Sequence, residues 1–213
     1  NQGNRYINVY AGVASNRESS LGYHIGVDYK NFNQKYSLSD AYDGITENNI
    51  GLDLGLSSPV NNGQSFGVDL KMNMLTYTGP DVSVIVDSTA FDNRYEVTLN
   101  PYYRLENDKL KLLLGLNLMI VSQDETDVFV SPNVKLDVPI ANWSLFYINL
   151  GGGIESNTMY QVSRLNRYIN PAFTPDASRT WADLKLGIRS SAAAGLWFDI
   201  FAGYKYTESD ILY

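Results

Sequence analysis

The sequence contains no cysteine and only one histidine, His24, and these scarcities exclude several kinds of functional site. Without cysteine the chain has no disulfide framework, no thiolate metal site and no cysteine nucleophile. A single histidine cannot form a histidine-based metal site, and no G-x-S-x-G, Walker A or HExxH motif is present. We therefore expect no catalysis, no cofactor and no metal centre.

The chain also lacks an excess of positive charge and a long apolar run. Its net charge of -7 and pI near 4.6 disfavour nucleic acid as a partner, because phosphates need a basic surface. No apolar run reaches the roughly 18 residues of a transmembrane helix. Strands of a membrane β-barrel, however, need only about 10 residues each. The chain opens with NQGNRYINVYAG, which is already a strand pattern and not a signal peptide.

What the sequence does contain is alternation with a period of two residues. Between Glu47 and Gly79, apolar residues alternate with small or charged ones on both sides of the turn signal Asn62-Gly63. Nearly every apolar segment repeats this pattern, and we find no convincing amphipathic helix. The pattern predicts ten strands, several of them longer than is usual in soluble sheets: 5–15, 21–36, 47–58, 64–78, 91–106, 109–122, 127–139, 143–157, 181–191 and 196–208.

The predicted connections alternate between short and long, with an intermediate one near 122–127 and the longest at 158–180. Short periplasmic turns and long extracellular loops give outer-membrane barrels this alternation. If the short turns are periplasmic, both ends of the chain lie outside the cell. We therefore predict an all-β, antiparallel, up-and-down transmembrane β-barrel of about ten strands, as a fragment of a larger barrel. We expect residues 1–213 to form a single barrel domain, in which a plug domain and a signal peptide are absent.

One face of each predicted strand is apolar and the other carries charges of both signs. We interpret the apolar positions, such as Leu112 to Ile120 in steps of two, as facing lipid, since Lys or Arg at the bilayer midplane costs about 2–4 kcal/mol. The opposite positions are predicted to face a wet lumen, with a solvated sheet face as the alternative. They include Glu96 and the predicted lumenal set of Asp28, Lys30, Asp53, Asp69, Lys71, Lys135, Asp137, Asp183, Lys185, Arg189, Asp199 and Lys205.

Asp124, Glu125 and Asp127 lie in and beside the predicted connection at 122–127, together with Gln123 and Thr126. Their oxygens could coordinate calcium, but the EF-hand spacing is absent, and we interpret them as a solvated loop. His24 lies mid-strand beside Gly26 and Asp28, and no motif supplies the serine that a Ser-His-Asp base would need.

From Asn100 onward the chain resembles a known family. The landmarks are NPYYRLENDKLKLLLGLNLMI, DVFVSPNVKLDVPI, LFYINLGGGIESNTMYQVSRLNRYINP and LWFDIFAGYKYTESDILY. In order and spacing they resemble the β-barrel part of TonB-dependent-receptor-like outer-membrane proteins of the Bacteroidetes. The resemblance covers the C-terminal half well and the N-terminal half in style only, and its landmarks are structural.

The resemblance implies an outer-membrane location and a receptor or transporter wall for uptake of a small molecule or chelate, without catalysis. Classical members carry a plug domain and draw energy from an inner-membrane complex. The implied partners are therefore outer-membrane lipid, a plug and that complex. Two other functions stay open: a soluble or periplasmic β-barrel that binds an apolar ligand, and an outer-membrane hydrolase.

Overall fold

The computed structural model of the chain describes residues 3–15, 20–34, 44–61, 63–78, 93–123, 125–165, 177–193 and 195–208. These residues form ten strands and one short helix. The strands are β1 (Asn4–Ala14), β2 (Gly22–Gln34), β3 (Thr46–Asn61), β4 (Gln64–Thr78), β5 (Arg94–Glu106), β6 (Lys111–Ser122), β7 (Thr126–Ala141), β8 (Ser144–Glu155), β9 (Ser178–Ala193) and β10 (Leu196–Glu208). All ten predicted strands are confirmed, although the predicted strand residues 35–36 and 91–92 lie outside the described residues.

The ten strands form one antiparallel sheet in chain order, with β1 and β10 at its edges. The hairpin ends that join β1 to β2, β3 to β4, β5 to β6, β7 to β8 and β9 to β10 lie at one end of the sheet, which we call the turn end. The strand ends between β2 and β3, β4 and β5, β6 and β7, and β8 and β9 lie at the other, the loop end. In the turn between β3 and β4, Gly63 has a φ of 79°, a conformation that favours glycine and suits a tight hairpin.

The prediction of no helix is wrong at one place. Helix α1 (Met159–Leu165) follows β8 in the longest connection. The Thr158 hydroxyl accepts the Gln161 amide at 3.2 Å, and the Gln161 side chain accepts the Thr158 amide at 2.9 Å. This reciprocal pair is a capping box, and it identifies the start of a helix too short to show a period of 3.6. Among the described residues, no helix is long and apolar enough to cross a membrane.

The apolar face of the sheet is the exposed one. In the pairings of β3 to β7, Leu54 pairs with Leu70 and Leu70 with Leu99, and the apolar row continues through Leu118 to Val130. Many side chains of this face are more than two-fifths exposed, for example Ile50, Leu56, Phe66, Leu114, Leu116, Ile120 and Ile188. A water-soluble sheet would cover this face with its core.

The buried hydrophobic side chains of the strands lie on the opposite, charged face. They are Phe32, Leu75, Met119, Phe129 and Tyr147, each at most 5% exposed. Their strand positions alternate with the apolar rows, so they share the face of Lys30, Asn73 and Asn117. The packing is therefore inside out relative to a soluble sheet.

The sheet curls so that the charged face is concave. The Met159 amide, at the start of α1, donates a 2.6 Å hydrogen bond to Glu47 of β3, although β3 and β8 are five strands apart. At a spacing of about 4.8 Å, a flat sheet would separate these strands by about 24 Å. Met159 is only four residues from the end of β8, a reach of at most about 14 Å. Only a curled sheet brings the two residues together.

Candidate functional site

The candidate site is the concave charged face, because the strand pairing brings the predicted lumenal set onto it. Each member occupies a position that alternates with the apolar rows of its strand. The set divides into three groups along the sheet. A first group lies on β2 to β4, a second at the turn end of β7 to β10, and a third in the middle of β7 to β10.

The first group contains one close ion pair and one contact between a histidine and a carboxylate. Lys30 Nζ lies 2.9 Å from Asp28, and His24 Nε2 lies 3.2 Å from Asp53. Asp53 is directly opposite Lys71 in the pairing of β3 and β4. Small residues make room for these side chains, since a Cβ at Gly55 would lie 2.0 Å from the His24 ring and 2.6 Å from Asp69. Opposite charges at neighbouring positions stabilise one another across a ladder.

The second group centres on Asp199 at the turn end. Its carboxylate accepts a 2.9 Å hydrogen bond from the Tyr147 hydroxyl and lies 3.3 Å from Arg189. The Arg189 guanidinium also lies 5.4 Å from the centroid of the Tyr147 ring, within the range of a cation–π contact. Asp137 pairs with Tyr147 across β7 and β8. This end of the face is thus held by a charged and aromatic network.

The third group contains Lys135, Asp183, Lys185 and Lys205, which surround a cavity of about 520 Å³. The floor of the cavity is β8 at Gly151, where an added Cβ would meet nothing within 4 Å. Lys185 Nζ lies 3.9 Å from the centroid of the Phe201 ring. Unlike the first two groups, this group leaves open space between its charges.

A ladder of uncharged polar groups, which the sequence analysis did not single out, crosses the same face. Asn100 donates a short hydrogen bond to the Asn117 side-chain oxygen. Asn117 in turn donates to the Ser131 hydroxyl at 3.3 Å and to the Gly152 carbonyl at 3.1 Å. The alternation placed these residues on the charged face, but their contacts depend on register across four strands.

At the loop end, helix α1 and buried charges close over the face. Tyr160 of α1 stacks on Tyr6 of β1, with their ring centroids 3.9 Å apart. Met159 packs with Phe32 and Ile45 in a buried cluster. Arg94, 1% exposed, lies 3.0 Å from Glu96 and donates a 2.6 Å hydrogen bond to the Ser156 hydroxyl. Sequence reasoning missed Arg94, because an arginine at the start of a strand carries no signal of burial.

Glu47 joins β3 to α1, and it lies outside the apolar stretch of β3 that begins at Ile50. Burial raises the pKa of the Glu47 carboxyl above its usual range. Hydrogen bonds from the backbone amides of Met159 and Tyr160 oppose this increase but do not cancel it. Ionisation of the Glu47 carboxyl therefore destabilises the folded state, even though the carboxyl accepts the hydrogen bond that holds the start of α1.

The geometry gives no support to a hydrolytic site. The His24 ring contacts Asp53, and within the described ranges no serine hydroxyl bonds to it. Asp127, from the predicted acidic loop, pairs with Arg179, whereas Asp124 lies outside the described residues. No group of three or more histidine, aspartate or glutamate side chains suited to a metal ion occurs in the described part of the chain.

Solved structures with the same arrangement of strands are receptors and transporters. The siderophore receptor PirA from Pseudomonas aeruginosa matches with a TM-score of 0.60 at 17% identity, over 96% of this chain and 38% of the receptor. The copper transporter OprC matches with a TM-score of 0.57 at 13% identity, over 93% of this chain and 38% of the transporter. The chain has the fold of part of such a barrel.

A further match is the FpvAI–pyocin S2 complex, with a TM-score of 0.56 at 11% identity, over 93% of this chain and 32% of the matched chain. The chain therefore spans about a third of the length of the structures it resembles. No protein-family model matches the sequence, and no curated protein does. At these identities the matches establish the fold alone, in agreement with the sequence resemblance to TonB-dependent-receptor-like barrels. The Bacteroidetes part of that resemblance stays a prediction.

Proposed function

We propose that the chain forms part of the wall of an outer-membrane receptor or transporter that takes up a small molecule or chelate. In this role the apolar face contacts lipid, the charged face lines the lumen, and the wall has no catalysis of its own. The observation that carries the proposal is the inverted packing: the apolar face is exposed, whereas the buried hydrophobic side chains of the strands lie among the charges.

The concave side of the sheet supports the same assignment. A soluble barrel for an apolar ligand needs its apolar face inside, and here the concave face carries the charges. A membrane barrel needs an apolar band outside and a polar interior, which is the arrangement of the two faces. The similarity to PirA and OprC supports uptake as the role of the wall. A plug domain and an energy-coupling complex are the partners that this role would require.

Two neighbouring residues of β4 provide the sharpest test. Lys71 and Met72 point to opposite faces, and both are exposed in the structure. Protein packing therefore shields neither, and only lipid would distinguish them. Because the chain has no cysteine, Lys71→Cys and Met72→Cys each create a single thiol. The full chain is folded into liposomes and treated with a water-soluble maleimide.

The proposal predicts that the cysteine at position 71 reacts and that the one at position 72 does not. Both cysteines should react when the same samples are dissolved in denaturant, which controls for thiol oxidation. The folded chain should also migrate differently on gels before and after boiling. Equal labelling at both positions in liposomes, or a monomer in plain buffer without detergent, would contradict the proposal.

A further inference from the structure

The third charged group differs from the rest of the concave face because three of its lysines line one cavity without a close ion pair. In the described part of the chain, neither Lys135 nor Lys205 has a carboxylate within 4.0 Å. Lys185 is held against the Phe201 ring at 3.9 Å. A cation–π contact positions an ammonium group without cancelling its charge. Although Lys205 lies opposite Asp183, none of these three ammonium groups forms an ion pair with a described carboxylate.

The strand pairing brings these lysines around one point. Lys135 and Lys185 both pair with Asn149 of β8, from opposite sides. Lys205 lies opposite Asp183, which in turn pairs with Gly151. Two strand spacings separate Lys135 from Lys185 by roughly 10 Å, a gap that two lysine side chains can bridge with a ligand between them.

The space between them has the size and polarity of a site for a small anion. The cavity of about 520 Å³ is lined by these three lysines, two carboxylates (Asp183 and Glu155) and the amide side chains of Asn133 and Asn149. Its formal charge is thus positive, although the whole chain carries -7. Its volume lies within the range of about 300–1,000 Å³ that small-molecule sites occupy.

We propose that this cavity, the Lys135–Lys185–Lys205 basin, binds a small polyanion through carboxylate or phosphate groups. The ammonium groups supply the charge, and the Asn133 and Asn149 amides supply directed hydrogen bonds. Gly151 keeps the floor open, because any larger residue would place a side chain in the cavity. The proposal rests on the proposed function in one respect, namely that this face lines a lumen that solutes can enter.

The test follows each lysine separately in the full chain, folded in detergent. Lysines are dimethylated with ¹³C-formaldehyde, which preserves their charge, and their methyl signals are assigned with single Lys→Gln variants. Citrate and pyrophosphate are the two probes, and they distinguish carboxylate from phosphate recognition. Acetate at matched ionic strength controls for general screening.

We expect the signals of Lys135, Lys185 and Lys205 to shift together and to saturate with citrate, pyrophosphate or both. The signals of Lys30, which lies 2.9 Å from Asp28, and of Lys71, which lies outside the cavity, should not saturate. Lys205→Gln combined with Lys135→Gln should weaken binding at least tenfold, whereas the control Lys71→Gln should leave it unchanged. Shifts that acetate reproduces, absence of saturation, or equal weakening by the control would overturn the proposal.

Gel mobility before and after boiling, measured on the same samples, keeps this result separate from the proposed function. A heat-modifiable chain without saturable shifts would support the membrane wall and contradict the anion site. Saturable shifts in a chain that is monomeric in plain buffer would support the anion site and contradict the membrane wall.

Discussion

The two faces of the sheet have the same strands but opposite packing, and the difference shows what this sheet is built to contact. The apolar face consists mainly of hydrophobic side chains, and no described element covers it. The charged face carries the helix, the ion pairs, the asparagine ladder and the buried side chains. In a soluble protein the free energy of folding comes from covering the apolar face. Here the uncovered apolar face fits the proposed contact with lipid, and polar contacts organise the charged face.

The largest expected effect concerns the buried pair of Arg94 and Glu96 on the charged face. Replacing Arg94 by methionine would leave Glu96, 9% exposed, without its 3.0 Å partner. Removing one member of a buried pair typically costs about 3–5 kcal/mol. We expect a loss of this size in urea unfolding of the detergent-folded chain. Arg104→Met, at an exposed position of the same strand and face, is the control and should cost much less.

The next effect compares the faces directly. Leu114, between Tyr103 and Val134 in the apolar rows, is 44% exposed. Leu114→Arg should weaken insertion into liposomes, by at most about 2–4 kcal/mol, which is the cost of a cation at the bilayer midplane. Lys71→Leu, on the lumenal side, should change insertion far less. If both substitutions had equal effects on folding in detergent, the assignment of the faces would be wrong.

A third comparison uses two glycines of the charged face. A Cβ at Gly187 would lie 2.6 Å from the Ile200 carbonyl oxygen and 2.7 Å from the Tyr147 hydroxyl, whereas one at Gly151 would meet nothing within 4 Å. Overpacking typically costs about 1–3 kcal/mol. Gly187→Ala should therefore lower the midpoint of urea unfolding, and Gly151→Ala should leave it nearly unchanged. Similar losses in both variants would show that the space above Gly151 is not open.

The smallest effect is a pH dependence of helix α1. Because the pKa of Glu47 is raised in the folded state, its contribution to stability is complete below the ordinary pKa of 4.5 and is lost as the pH rises through the folded value. Hydrogen exchange of the α1 amides, corrected for intrinsic rates, should thus show weaker protection at pH 8 than at pH 4. Glu47→Gln should remove most of this dependence. Unchanged dependence in the variant would assign it to another group.

The sequence predicted the strands and the faces because both follow from alternation within a strand. Ile50 to Leu56 and Phe66 to Met74 show the period directly, and the turn signal at Gly63 fixes their pairing. The burial of Arg94 and the position of α1 could not be predicted in this way. They depend on the curvature of the whole sheet, which brings the end of β8 to β3. The Thr158–Gln161 capping pair was the one local signal of the helix.

The grouping of the charges also could not be predicted from the sequence. Alternation places Lys30 and Lys185 in the same class, yet Lys30 has a carboxylate at 2.9 Å and Lys185 has an aromatic ring at 3.9 Å. The difference arises from which strands are neighbours and how their rows align. The sequence of a single strand does not determine that alignment.

The bond between Met159 and Glu47 also has a consequence for how the chain folds. Every strand pairs only with strands adjacent in the chain, so each pairing closes a shorter loop, at lower entropic cost, than a contact between distant strands. The contact between Met159 and Glu47 instead spans 112 residues. It can form only after the intervening strands have assembled and curved. The wall is therefore expected to grow hairpin by hairpin, with the docking of α1 as a late step that reports complete curvature.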